Sequence, residues 1–434
     1  MRKTALLLLT ALLLFTAACS GGGTGLIPRG YPTDNTYHPE TDCAYTTASA
    51  IHGQRIAETE LGYYTLANCY LLFTDGQTME TVPVCAKPNC LHEQEPNEDK
   101  RKECNAYFHT TSTSGSICNY NGNLYVWHHL EYGSALIPTN AGRNVNNFWA
   151  LTQISPDGVQ RKTIRVIENR YPGDVCFHRG RFFYTSYEVD ELGNMSAGLW
   201  SCSLSEPNAE ASCIYQADKL STGGTIPQRF SQVFGYGRYM YLREMIDFEM
   251  QSEQLRILDL TTGEWNIIEN PEGKSAKRAV IHSDDLLVFF GDPQWYDSET
   301  VENQVDLLYR MEPDGSSPEL LGNYPFVNVA ADSEYLYMTE AHWGDRKKLT
   351  MYIYNREMTL VDQFTCDYSD MTDGYLGYFT VYPMQGETLL YVIRVHGDNV
   401  YGCFDRSAIG SGSIQAEEYF RFNRTYDYQS KLYD

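Results

Sequence analysis

A strand-like unit recurs along this chain at intervals that few folds tolerate. It reads NGNLYVWHH at 121, HRGRFFYTS at 178, GYGRYMYLRE at 235, HSDDLLVFFG at 282, ADSEYLYMTE at 331 and QGETLLYVIRV at 385, so successive starts lie 57, 57, 47, 49 and 54 residues apart. After each comes a second unit of strand, tight turn and strand, as in FWALTQISPDGVQRKTIRVI and LRILDLTTGEWNIIEN. Pro156-Asp157-Gly158, Thr262-Gly263 and Pro313-Asp314-Gly315 supply the preset or positive φ that such hairpins need. One more strand ahead of each first unit, for example FSQVFGYG before RYMYLRE, brings every repeat to four. Four antiparallel strands every ~50 residues predict the blade of a β-propeller, whereas a two-sheet sandwich array leaves the even spacing without a cause.

A seventh hairpin, CYLLFTDGQTMETVPVC from Cys69, precedes the six, and RIAETELGYYTLA ahead of it supplies the inner strands. The expected fold is all-β, a single β-propeller of seven four-stranded blades, with six or eight as the alternatives. The 34 tyrosines and 13% aromatic content agree, because aromatic and β-branched side chains pack on pleated surfaces. The tail EYFRFNRTYDYQSKLYD is expected to add a closing strand beside the first blade and so hide an exposed edge.

The chain opens MRKTALLLLTALLLFTAACSGGGTG. Arg2 and Lys3, an apolar run from Ala5 to Ala18 too short to span a bilayer, and the small residues Ala17-Ala18 make residues 1–18 an export signal. Cys19 and the glycines after it resemble a bacterial lipoprotein signal, in which that cysteine becomes the lipidated first residue. Thr16 departs from the pattern, standing where such signals usually carry Leu, and an ordinary secretory peptide is the alternative. Two or three acyl chains at about 0.8 kcal/mol per buried methylene anchor a protein stably where one does not. The expected organisation is a signal over 1–18, a lipidated cysteine with its tether and an extended lead-in over 19–48, and the propeller over 49–434, on the extracellular face of the membrane.

The formal charge of −23 argues against nucleic acid, which needs a basic face. Eleven cysteines remain after Cys19, an odd number, so an exported chain keeps at least one free thiol or a metal-bound set. Cys202 and Cys213 fall in neighbouring strands and are able to bridge, while Cys176 and Cys403 read as small hydrophobes.

With its lipoprotein-like start, the run GYYTLANCYLLFTDGQTMETVPVCAKPNCLHE, the continuation Cys104-Asn105-Ala106-Tyr107 and the LYV or LYM strands, the mature chain resembles a family of β-propeller lipoproteins of anaerobic Gram-positive bacteria, related in repeat style to TolB-like and YWTD-type propellers. The resemblance implies fold and address and implies no activity.

The stretch VCAKPNCLHEQEPNEDKRKEC, residues 84–104, carries Cys85, Cys90, His92 and Cys104. Three thiolates and one imidazole are a complete tetrahedral set for Zn²⁺, and Pro88-Asn89 turns the chain between the first two. Three readings stand open: a structural zinc; a disulfide from Cys85 or Cys90 to Cys104; or neither. A catalytic metal is disfavoured, since four protein ligands leave no open position.

No G-x-S-x-G elbow, H-E-x-x-H, P-loop or dinucleotide fingerprint is present. His128-His129 at a strand end read as surface residues. The connections after the second strands carry Trp295, Tyr296, His342, Trp343 and His396 together with Asp292 and Asp345. Rings beside carboxylates suit a sugar or a cationic ligand, although acidic loops are also merely well solvated. The expected function is a non-catalytic, lipid-anchored module that binds a small ligand, a glycan or a protein at one end of its channel. The alternative is an extracellular carbohydrate-active hydrolase or lyase using channel carboxylates.

Overall fold

The computed structural model describes residues 25–43, 56–67, 69–109, 115–130, 134–136, 148–168, 171–189, 194–206, 209–221, 229–293, 305–340, 348–368, 376–382, 386–395 and 398–422. Seven antiparallel sheets follow one another, each with four strands hydrogen-bonded in chain order. Blade 1 holds Ile56–Thr59, Gly62–Ala67, Tyr70–Asp75 and Thr81–Pro83; blade 2 holds Ser116–Tyr120, Asn123–His129, Phe148–Ile154 and Arg161–Glu168. Blade 3 holds Tyr171–His178, Arg181–Val189, Asn194–Ser203 and Ser212–Gln216, with Leu220–Ser221 paired beside its third strand. Blade 4 is Phe230–Tyr236, Tyr239–Asp247, Ser252–Asp259 and Trp265–Ile267, and blade 5 is Ser275–His282, Asp285–Gly291, Asp306–Met311 and Glu319–Tyr324. Blade 6 is Phe326–Ala331, Leu336–Glu340, Lys348–Tyr354 and Leu360–Asp367, and blade 7 is Leu376–Tyr382, Thr388–Val395, Asp398–Asp405 and Ala416–Phe422.

This is the seven-bladed propeller that the repeat predicts. First strands of blades 1 to 4 touch in turn, as do those of blades 5 to 7, while blade 4 meets blade 5 through its third strand. Each of the seven interfaces has its own apolar cluster. Both faces of every sheet are therefore buried, which is why the second strands read as runs such as LLVFF rather than as strict alternation.

Closure differs from the expectation. The segment Ala416–Phe422 from the tail pairs with Asp398–Asp405 as the outer strand of blade 7 and does not join blade 1. The ring closes by packing, with Leu390, Val392, Tyr401 and Cys403 of blade 7 against Ile56, Tyr63, Ala67 and Leu72 of blade 1. Blade 1 already has a fourth strand of its own, so the tail finds no vacant place there.

Two Pro-Asp-Gly turns show how neighbouring blades lock. Gly158 has φ +70 and lies so close to Val84 that a Cβ would clash, and Gly315, at φ +82, stands likewise over Ile268. In each case a second-strand tyrosine of the preceding blade donates to the turn's proline carbonyl, Tyr64 to Pro156 at 2.5 Å and Tyr241 to Pro313 at 2.8 Å. Since strands alternate in direction, first-to-second and third-to-fourth turns share one end of the ring, here the turn end. Second-to-third connections and the crossings between blades share the other, the loop end.

Residues 25–43 dock on the turn end across blades 2, 3 and 4. Leu26 N–H donates to Leu260 O at 2.6 Å, and Tyr120 Oη donates to Thr41 O at 2.8 Å. Arg179, in the first turn of blade 3 at φ 43, is fully buried. Its guanidinium donates to both oxygens of Asp42 at 2.8 and 3.2 Å and to the carbonyls of Pro32, Asp34 and Thr36. A non-glycine residue in left-handed conformation costs about 1–2 kcal/mol, and here this network holds it.

Candidate functional site

Cys85, Cys90, His92 and Cys104 converge. Their ligand atoms all lie within 4.8 Å of one another, and this is the only such group of three or more metal-ligating side chains among the described residues. A strand of blade 1 makes the convergence. Val84 N–H donates to Leu71 O at 2.9 Å, and Leu71 N–H donates to Ala106 O at 2.8 Å, so both ends of the 85–105 excursion are held by one residue. Tyr107 then bridges Tyr70, and Phe108 N–H reaches Cys69 O at 2.7 Å. The outer edge of blade 1 is thus shared between 81–84 and 106–108. Residues 85–105 leave that edge and return to it, and the crossing to blade 2 begins only after Phe108.

Within the excursion the local chemistry follows the sequence. Asn89 at φ 58 turns the chain after Pro88, and Asn97 caps the helix Glu98–Lys102 by accepting from Lys100 N–H at 3.2 Å. His92 sits at φ 52, opening a single 3-10 turn, and its carbonyl accepts from Tyr70 Oη at 3.3 Å. Its Nδ1 lies 3.4 Å from Cys104 Sγ. Lys87 Nζ donates to Glu103 O across the loop.

The sulfurs sit in a field of amide donors. Ala106 N–H donates to Cys104 Sγ at 3.3 Å, and Lys87 N–H, likewise two residues after its cysteine, donates to Cys85 Sγ with Asn105 N–H beside it. Burial opposes ionisation of Cys85, yet these amides hold its thiol below the ordinary value. Burial dominates at Cys104, pushed up to about 12, with the neighbouring Cys90 and Cys85 adding to the rise. Amide-stabilised thiolates crowded around one point can hold a metal cation, whose charge offsets their repulsion. The three thiols are free in the structure. Cys85, Cys90, Cys104 and His92 would together offer a zinc ion three sulfurs and one imidazole nitrogen, the donor types of a structural site.

Other predicted residues fall elsewhere. Cys19, Trp295, Tyr296, His342, Trp343, Asp345 and His396 lie outside the described residues. Asp292 is exposed and paired with Lys274 at 2.7 Å. Cys202 and Cys213 do not bridge, because strand register sets Cys213 opposite Trp200 while Cys202 turns into the blade 2–3 core. His128 and His129 are half-buried rather than superficial. His128 Nε2 meets Thr152 Oγ1 at 2.9 Å, and His129 Nδ1 meets His109 Nδ1 at 3.0 Å.

Sequence reasoning missed a layer of buried charge at the loop end of blades 3 to 5. Arg243 Nε donates to Ser231 Oγ at 2.6 Å and lies 3.7 Å from Glu253, which itself accepts from Ser231 at 2.5 Å. Arg278 pairs with Asp306 at 2.9 Å, and Lys277 donates to Pro293 O at 3.1 Å, at the root of the connection that carries Trp295 and Tyr296. Burial lowers Lys277 to about 8 and raises Asp174 to about 7, against the opposing charge of Arg243. Asp174 Oδ2 and one terminal nitrogen of Arg243 are buried without a partner. No local pattern announces these residues, since each looks like an ordinary polar position in its own strand.

No family model and no curated protein matches the sequence. Among solved structures, one from a mechanistic study of two prolyl endopeptidases is similar with a TM-score of 0.49 at 10% identity, over 87% of this chain and 50% of that one. The β-propeller domain of the Trilobed protease from Pyrococcus furiosus gives 0.43 at 15%, over 67% and 79%. An oligogalacturonate lyase in complex with manganese gives 0.45 at 7%, over 86% and 94%. The chain spans about half the length of the first of these. Similarity at this level bears on none of the chemistry of the site.

Proposed function

We propose that this chain is an exported, lipid-anchored binding module of the propeller lipoprotein family it resembles, held to the membrane through Cys19. Its propeller takes a hydroxyl-rich small ligand, a glycan in the simplest case, at the loop end over blades 3 to 5. One observation carries this reading: Asp174 Oδ2 and a terminal nitrogen of Arg243 are buried and unpartnered within a layer of paired charges. A buried polar atom left unpaired costs about 1–3 kcal/mol. A ligand hydroxyl that reaches either atom recovers that cost, and the sequence of the connection beginning at Asp292-Pro293 includes the aromatic residues Trp295 and Tyr296, a residue type suited to sugar faces. A glycan array on the purified protein, repeated with Arg243→Met, is the test. Binding lost in the variant supports the reading, and binding unchanged sinks it.

The enzymatic reading rests on Asp174. A carboxyl group kept protonated towards neutral pH by burial is able to donate a proton to a glycosidic oxygen, with Glu253 as the second carboxylate. Release of new reducing ends, abolished in Asp174→Asn with ligand affinity kept, favours a hydrolase or lyase over a binding module.

In the same proposal the Cys85, Cys90, His92 and Cys104 set holds a structural zinc. Four donors converge where a disulfide uses two. Purified protein should carry one zinc per chain, and Cys85→Ser or His92→Ala should lose it. Metal-free protein with Cys85 or Cys90 linked to Cys104 overturns this in favour of the disulfide.

A further inference from the structure

The docked lead-in brings a second pair of thiols together. Cys43, its last described residue, is buried in the cluster between blades 3 and 4 with Cys176, which lies on the first strand of blade 3. The two thiols share a hydrogen bond, and Gly235 N–H on the first strand of blade 4 faces both sulfurs. The backbone beside them is fixed. Cys43 N–H donates to His178 Nδ1 at 2.9 Å, and His178 Nε2–H donates to Gly237 O at 2.7 Å, which sets the tautomer of a fully buried ring. Preceding Cys43, Asp42 is clamped by Arg179 and by Gly237 N–H at 3.1 Å. Cys176 and His178 are two apart on one strand and so face the same side.

We infer that Cys43 and Cys176 form a disulfide that clasps the lead-in to blade 3. The inference rests on the exported reading for its oxidant, a disulfide supplied outside the cytoplasm by a small thiol compound or a thiol oxidoreductase. Hydrogen bonding from Cys176, with Gly235 N–H, favours the thiolate of Cys43 against the cost of burial, while burial first of all keeps the Cys176 proton in place. In the undocked chain, where those contacts are not made, either thiolate can attack first, and the step is written for that of Cys43. Its thiolate attacks the external disulfide and displaces one thiolate, and Cys176, on losing its proton, attacks the mixed disulfide and displaces the second. Two protein thiols are oxidised, one disulfide is reduced to two thiols, and the two protons end on those. Because both sulfurs are enclosed once the lead-in has docked, exchange belongs to the undocked chain.

The consequence concerns the anchor. With the lead-in docked from residue 25 and Cys43 bound to blade 3, a lipid on Cys19 would turn the turn end towards the membrane. Cys118, on the first strand of blade 2, lies within electrostatic reach of both sulfurs and is the rival partner.

The test refolds full-length chain with oxidised glutathione, alkylates it in denaturant without reductant, and maps the peptides by mass. A linked pair of peptides containing Cys43 and Cys176, lighter by two hydrogens and separated by reductant, is expected. Alkylated Cys43 and Cys176 in fully refolded protein, or Cys43 linked to Cys118, overturns the pairing. Cys118→Ser must keep the link, and its loss there also counts against the pairing. Protein that links in the tube but is recovered fully reduced from producing cells supports the pairing and sinks the exported reading instead.

Discussion

Two long irregular segments of this propeller, the lead-in and the 85–105 excursion, are pinned with opposite chemistry. At the turn end the Asp42–Arg179 pair is fully enclosed and saturated, the guanidinium meeting the Asp42 carboxylate and three carbonyls, with the Asp34 carboxylate 3.7 Å away. Beside the outer strand of blade 1 the 85–105 excursion brings together two partly buried thiols, the buried thiol of Cys104 and one imidazole that face each other, a set able to hold a cation. The first fastening is finished by protein atoms alone. In the zinc reading proposed above the second depends on what the environment supplies, and burial differs accordingly: enclosed charges need built-in partners, whereas three partly exposed ligands around one buried thiol can recruit theirs.

The sharpest way to break the contrast is Arg179→Met. Removing one partner of a buried pair leaves Asp42 uncompensated, and a loss of about 3–5 kcal/mol in denaturant unfolding is expected. A loss below about 1 kcal/mol would mean that the lead-in contributes little to the ring.

Acid is the next probe. His178 is held neutral by burial, its value lowered from 6.5 to about 4. The unfolded chain therefore binds the extra proton between those values. The stability this neutral ring contributes is present above about pH 6.5, is lost as pH falls through about 4, and amounts to about 3 kcal/mol. Amide exchange of Cys43 and Gly237 across that window should rise, and His178→Gln should flatten the profile.

A smaller effect separates the other fastening. Stripping metal with a chelator, or Cys104→Ser, should leave the ring folded while cleavage within residues 93–102 rises about tenfold, equal to about 1.4 kcal/mol of local opening. Unchanged cleavage after verified metal loss would place the excursion with the self-sufficient segments. Smallest of all, Asn89→Ala puts a Cβ-bearing residue without Asn's local hydrogen bonds at φ 58. It should weaken zinc affinity about fivefold, about 1 kcal/mol, and Asn89→Gly should restore it.

Much of the fold was legible because blades are local objects. A strand, its neighbour and the turn between them lie within about thirty residues, so Gly158, Gly315 and the LYV or LYM runs declare their roles without tertiary knowledge. The same holds for Cys85, Cys90 and His92, whose spacing alone suggests ligands. What that spacing does not reveal is that Leu71 draws Cys85 and Cys104 together, for the excursion interrupts a strand whose partner lies elsewhere. The tail was misassigned for a related reason. EYFRF reads as an edge strand, but nothing local says which edge is free.

The clasp and the charged layer were illegible in principle. Asp42 and Arg179 are 137 residues apart, and Cys43 and Cys176 nearly as far. Asp174, Arg243, Glu253 and Lys277 are contributed by three blades. Sequence by itself determined the repeating sheet, its turns and the ligand types of one loop, because those depend on periodicity and on backbone preferences within a few residues. Only the tertiary structure decided which blades meet, which carboxylate faces which guanidinium and which thiols share an apolar cluster, because ring closure sets distances that no local preference encodes.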